Sequence, residues 1–351
     1  MDIHTSIKIR QISFLSIIMV VILHAYSYEV MNVSESSFNF FIQNFISNGI
    51  VKIAVPTFFF ISGFLFFRNF TETFQDIKRK FKRRINTLIL PYFYWCAFWF
   101  CFIFILQILP ISKVYFSHPL YQMSFADNIW NAFYEPINYP FWFIRELIVY
   151  IFLIPPLYFV PRKAQILFLL VIFGVSLIQT SLVIIWKVPF IHFFSFLFFV
   201  AGSIAGLRKY SLILKLKLYQ WLLISVVWII LIICRISNIS NGFSDFAIDF
   251  LGKIEIMIGV LTLWFGYDLL PKSFKKIKSN IYSFTFIIYA FHGIPIVIFK
   301  KFFSGILGDN SYVELLFYFL VPLVVILLSV FVGKKLLKRH PLFYTKITGG
   351  R

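Results

Sequence analysis

Charge is scarce in this chain: 13% of its residues are charged against 60% hydrophobic, and only 14 are acidic. So little charge cannot cover the surface of a water-soluble domain of 351 residues, and the soluble classes are excluded. Cysteine is scarcer still. Cys96, Cys101 and Cys234 lie within or beside apolar runs with no metal-ligand spacing, which argues against a disulfide framework and a zinc site. The chain also lacks a glycine-rich phosphate loop, an internal repeat and a low-complexity tract. No Ala-x-Ala-like cleavage site follows the first apolar run, so that run reads as a retained helix and not a signal peptide. Residues 1–351 are expected to form a single transmembrane domain with no appended soluble domain.

What is present is apolar length. Runs of roughly 18 to 25 residues, enough to cross a hydrocarbon core of about 30 Å, recur along the chain. They predict ten spans, approximately 11–28, 50–67, 85–109, 140–160, 164–186, 188–207, 218–235, 248–270, 280–299 and 312–333. Each should be a helix, because hydrocarbon offers backbone groups no other partner. The expected fold is an all-α polytopic helical bundle with both termini cytoplasmic.

The formal charge of +19 fits this topology. Most of the 33 basic residues fall on alternate connections: Lys8 and Arg10, the run from Arg68 to Arg84, Arg162 and Lys163, Arg208 to Lys217, Lys272 to Lys278, and Lys334 onward. That is the positive-inside pattern, and it removes the need for a nucleic-acid partner.

Depth along each helix, at about 1.5 Å per residue, then sorts the unusual polar groups. His24 lies fourteen residues beyond Arg10, hence roughly 21 Å outward. His292 reaches a similar depth on the ninth span, while Trp142, Arg145 and Glu146 enter from outside on the fourth, and His192 and Glu255 enter at about the same level. Ionisable groups in hydrocarbon mark a reaction centre or a transport path, and five helices bringing them to one layer predict a single polar cavity. Two readings of His24 stand open, a reacting base or an interhelical hydrogen bond near the outer interface. For His292, His192 and Glu255 the structural reading is favoured. Arg145 and Glu146, about 100° apart on a helix, each need a partner elsewhere. The run Lys78-Arg79-Lys80-Phe81-Lys82-Arg83-Arg84 reads either as topogenic charge against anionic lipid or as a phosphate-binding site.

Several segments together resemble acyltransferase family 3, the integral membrane acyltransferases. They are Ser13-Phe14-Leu15-Ser16 through Leu23-His24, Pro56-Thr57-Phe58-Phe59-Phe60-Ile61-Ser62-Gly63-Phe64, Lys82-Arg83-Arg84 through Leu90-Pro91-Tyr92, Trp142-Phe143-Ile144-Arg145-Glu146-Leu147 and Tyr289-Ala290-Phe291-His292. The resemblance covers nearly the whole chain. It implies ten helices, an acyl-CoA donor (usually acetyl-CoA) entering from the cytosol, no metal, and a hydroxyl of a surface polysaccharide or lipid-linked saccharide as acceptor, in a bacterial cytoplasmic membrane. It makes His24 the essential histidine of the first helix, and Arg83 and Arg84 the basic motif before the third. Many members carry an Arg eleven positions before the histidine, where this chain has Ser13, and Arg10 one turn earlier is the candidate substitute. A further Arg of the basic motif is replaced by Thr87 or Leu88. Arg145, Glu146 and His292 are the remaining supporting candidates.

Histidine suits general-base work because its ordinary pKa lies near neutrality. An acyl-imidazole intermediate on His24 is the other route. A transporter or flippase of lipid-linked glycans would explain the same buried groups without chemistry.

Overall fold

The computed structural model describes residues 3–26, 38–71, 73–113, 116, 118–179, 191–213, 216–239, 244–275, 280–307 and 311–350. Among these residues every regular element is helical. The principal helices are α1 (Ile3–Ala25), α2 (Ala54–Phe67), α3 (Phe74–Arg84), α4 (Leu90–Ile108), α5 (Trp142–Leu153), α6 (Arg162–Ile178), α7 (Phe193–Leu207), α8 (Leu218–Ile239), α9 (Asp245–Leu269), α10 (Thr285–Leu307), α11 (Ser311–Arg339) and α12 (Pro341–Thr348).

Each of the ten predicted spans overlaps one of these helices. Among the described residues, 7 helical segments are long and apolar enough to cross a membrane, and α7 is a shorter apolar helix. Parts of the predicted spans 11–28, 164–186 and 188–207 lie outside the described residues. Two departures have clear physical reasons. Helix α1 starts well before residue 11 because one face of its first turns is buried: Lys8 is fully enclosed and donates to Asp268 at 2.6 Å and to the Leu212 carbonyl at 3.1 Å. The second span is a broken helix. A π-helical turn over Asn44–Gly49 passes directly into a 3-10 turn over Ile50–Ile53 before α2 begins. The Asn48 carbonyl at that break accepts from Arg235 Nη2 at 2.7 Å, while Arg235 Nε donates to the buried Glu255 at 2.6 Å. A buried ion pair thus restores the polar partners that an irregular backbone loses in hydrocarbon.

Helices pack in lipid mainly through close fit, and small residues at crossings permit it. The α2–α7 crossing is the tightest example. A Cβ added at Gly202 would sit 2.8 Å from the carbonyl carbon of Phe60 and 3.0 Å from its Cα, both rigid main-chain atoms. Gly202→Val is therefore expected to destabilise the bundle by about 1–3 kcal/mol, the usual cost of overpacking. The check is a lower apparent Tm and less monodisperse protein after detergent extraction; unchanged values would mean that the crossing relaxes freely.

On the cytoplasmic face, as the charge pattern orients it, α3 is a basic amphipathic helix that begins at Thr73. The Thr73 hydroxyl accepts from the Asp76 amide at 3.2 Å, and Arg79 pairs with Asp76 at 2.6 Å. A π-helical turn over Ile85–Ile89 joins it to α4. The C-terminal helix α12 folds back against this junction: Trp95 Nε1 donates to the Ile347 carbonyl at 3.0 Å.

Candidate active site at the outward end of the bundle

His24 occupies the last turn of α1, half-buried, where the helix runs out of backbone donors for its carbonyls. Lys300, from α10, supplies one. Its ammonium donates to the His24 carbonyl at 3.2 Å and to the Tyr26 carbonyl. A cation on a helix C-terminus also complements the helix dipole. The main chain carrying His24 is thereby fixed from a second helix.

That same helix carries His292, which is fully buried. Its Nδ1 lies 2.6 Å from the Tyr289 carbonyl and 3.2 Å from that of Ile288. A carbonyl can only accept, so Nδ1 carries the proton and Nε2 of the neutral ring presents a lone pair. Nε2 is buried and has no hydrogen-bond partner among the described residues. The His24 ring stands next to it, the two ring centroids 5.3 Å apart.

The connection before α5 is latched around this pair. Asn138 Nδ2 donates to the Ala290 carbonyl at 3.2 Å, the Tyr289 hydroxyl donates to the Pro140 carbonyl at 2.6 Å, and Trp99 Nε1 donates to the Ala290 carbonyl at 2.9 Å. Gly293 makes the approach possible, because a Cβ there would lie 2.9 Å from Pro140 Cδ and still closer to Asn138 Oδ1. Tyr139 meets the His24 ring edge-on at 6.3 Å. Above these residues opens a cavity of about 990 Å³, lined by His24, Asn138, Tyr139 and Gly293 together with the outward ends of α4 and α10.

The other predicted groups of the ionisable layer do not share this cavity. Arg145 donates to the Tyr134 carbonyl and lies over the Tyr134 ring at 5.1 Å, lining a separate cavity of about 390 Å³ with Tyr92, Trp130 and Phe133. Glu146 is fully buried in a cluster with the His192 imidazole and the Tyr150 hydroxyl, the latter at 2.8 Å. Glu255 is held by Arg235. Arg10 is exposed and stacks on Tyr282 at 5.5 Å, about fourteen residues below His24, so it does not reach the His24 ring. The physical reason is rotational. A shared depth says nothing about which way a helix turns a side chain, and each charge found its nearest polar neighbour instead of a common space.

Arg83 is exposed and Arg84 half-buried at the C-terminal end of α3, in its last basic turn. From Arg84 to Phe102, which lines the His24 cavity, the chain climbs eighteen residues of nearly continuous helix, about 27 Å. The basic pair and the histidine pair therefore sit at opposite ends of one helical track. Among the described residues no group of three metal-ligating side chains is present.

Residues 9–334 match the family described as "Acyltransferase domain". The chain belongs to acyltransferase family 3. A segment of 118 residues is also 27% identical to the succinoglycan biosynthesis protein ExoH of Rhizobium meliloti (strain 1021), covering 32% of this chain and 30% of that relative. The chain thus spans under a third of the length of the curated relative it matches. No solved structure matches it.

As a member of this family the chain is an integral membrane protein built on an all-α bundle. Lys300, Asn138 and Lys8 escaped the sequence reading of this acyltransferase. Lys300 sits at an apparent outer interface, where a lysine is unremarkable. Asn138 sits in a connecting segment, and the partner of Lys8 is 260 residues away in the chain. Only the Pro140 and Gly293 flanks, both marks of backbone constraint, signalled the Asn138 latch.

Proposed function

We propose that this acyltransferase moves an acyl group, with acetyl as the first expectation, from cytosolic acyl-CoA to a hydroxyl of a cell-envelope glycan, and that His24 is the general base. The observation that carries the reading is the half-buried His24 at the floor of the outward cavity, backed by the buried His292 ring 5.3 Å from its own. The His24 ring, 5.3 Å from that of His292 and without a hydrogen bond to it at rest, turns on substrate binding to donate one N–H to the lone pair on His292 Nε2, which leaves its other nitrogen, unprotonated, facing the acceptor. That nitrogen takes the hydroxyl proton as the oxygen attacks the thioester carbonyl. The new C–O bond forms, the C–S bond breaks, and the imidazolium returns its proton to the departing CoA thiolate. Arg83 and Arg84 hold the donor's phosphates at the cytosolic end, because guanidinium groups offer multidentate donors to phosphate oxygens. The donor arm then lies along α4, the track that joins the two ends.

The ExoH similarity supports a polysaccharide as the acceptor's class, since that relative is named for succinoglycan biosynthesis. The host's surface glycans should be weighed by mass spectrometry with the gene deleted and then restored. Deletion is expected to remove an acyl mass, 42 Da per site for acetyl, taken as roughly one hydroxyl in each repeating unit, and restoration to return it. Glycans of unchanged mass, or a loss of glycan export without loss of an acyl group, would overturn the reading.

A further inference from the structure

Helix α12 (Pro341–Thr348) lies beyond residues 9–334, the stretch that matches the family, yet it is built into the bundle at the end that carries Arg83 and Arg84. It buries Tyr344, Ile347 and Thr348. That face packs on α4 and on the π-helical turn Ile85–Ile89, which follows Arg84 directly. Two contacts fix it there. Trp95 Nε1, on α4, donates to the Ile347 carbonyl at 3.0 Å. Gly349, the left-handed cap of α12 at φ 66°, lies against the main chain of Thr87 in the middle of the turn. A Cβ at Gly349 would sit 2.5 Å from the Thr87 carbonyl oxygen, 2.7 Å from its Cα and 2.8 Å from its carbonyl carbon, so both conformation and space require glycine.

The turn held in this way is of an uncommon kind. The Leu90 amide donates to the Ile85 carbonyl, five residues back, and such a π-turn carries one residue more than the α-helix it interrupts. One residue is worth about 100° of rotation and 1.5 Å of rise. Relaxation of the turn to α-helix would therefore swing Arg83 and Arg84 by about 100° relative to α4 and to the track that climbs along it. The turn's own residues supply little to select one form over the other: Ile85 and Asn86 are exposed, and Leu88 alone of the five is buried. Selection comes from what packs on it. Both α5 and α12 do so, and α12 meets the main chain of its middle residue.

Resting on the donor role given to Arg83 and Arg84, we infer that α12 is a brace that keeps the turn in its π register and thereby aims the basic pair at the phosphates of acyl-CoA. Gly349, Ile347 and Trp95 are positioning residues in this scheme: they act through the turn and touch neither donor nor acceptor. The brace sets the affinity for the donor and leaves the chemistry at His24, at the other end of α4, as it is.

Calorimetric titration of the full-length protein in detergent with acetyl-CoA, together with steady-state transfer to extracted glycan, tests this. Gly349→Val is expected to weaken acetyl-CoA binding and raise its KM by roughly tenfold or more, the loss that follows from forfeiting one charged hydrogen bond. Its kcat at saturating donor and its KM for glycan are expected to stay within about twofold of wild type. Trp95→Phe keeps a ring but removes the N–H, and is expected to weaken the donor roughly threefold; it keeps the test decisive should Gly349→Val fail to fold. Deletion of Asn86 returns the segment to α-helical spacing and is expected to reproduce the donor defect. Gly349→Val added to that deletion is expected to weaken binding no further, because two changes that act through one element are not additive. Unchanged donor binding in Gly349→Val and Trp95→Phe overturns the inference, as does a full additional loss in the deletion background, or a fall in kcat as large as the rise in donor KM. If wild type binds acetyl-CoA and the brace variants bind it equally well, this inference falls alone. If wild type does not bind it, the donor assignment falls too. If wild type binds it but transfers nothing to glycan, the acyl-transfer reading falls and the titrations still decide the brace.

Discussion

His24→Ala is expected to reduce acyl transfer by about 10²–10⁴-fold, the usual contribution of a positioned general base, at unchanged membrane abundance. The half-buried ring touches His292 and Tyr139 and makes no hydrogen bond among the described residues, so its removal leaves the bundle's polar contacts intact. Loss of activity would therefore report on chemistry and not on folding. His24→Asn separates the roles further, because an amide can still bond to His292 Nε2 but cannot shuttle a proton near neutrality. Both variants should be inactive when acyl transfer to extracted glycan is followed with isotopically labelled donor. A tenth or more of the wild-type rate in either variant would remove His24 from the reacting centre.

The second large effect is expected at the opposite end. Purified protein should be stabilised against heat by acetyl-CoA through mass action, and the paired change Arg83→Ala with Arg84→Ala should abolish the shift. Hydrogen bonds to charged groups contribute about 1.5–3 kcal/mol each, so losing even one corresponds to roughly a 10- to 150-fold weaker donor affinity. Arg79 is the internal control. It is already paired with Asp76 and projects from the same helix, so Arg79→Ala should leave the shift in place. Identical shifts in all variants would assign the basic run to lipid headgroups alone.

Much of the fold was legible because hydrocarbon makes hydropathy and helix nearly the same statement. Each of the ten apolar runs contains a helix among the described residues, and an orientation is read from the basic residues on alternate connections. His24 and His292 could be placed at one level by counting residues from the charged ends, since rise per residue is constant. What counting could not supply was azimuth. Arg145, Glu146 and Glu255 share the layer with His24 yet face Tyr134, His192 and Arg235 in places of their own. Their partners come from connecting segments and distant helices, which no local periodicity encodes. The basic character of α1's first turns was visible too, but the enclosure of Lys8 beside Asp268 and Trp264 depends on α9 crossing there. Asn138 illustrates the same limit: its importance comes from Gly293 being bare enough to let it in.

The double hold that α10 exerts on His24, Lys300 on the main chain and His292 beside the ring, has a consequence for how the enzyme tolerates its surroundings. A bilayer that thickens or thins tilts helices and slides them past one another. Because both holds come from one segment of α10 little more than two turns long, with Pro295 between them, such a tilt moves the two holds together. The reacting end is in effect a cartridge that travels with one helix, so a change of lipid composition should alter how the donor reaches it more than how the histidine pair is arranged.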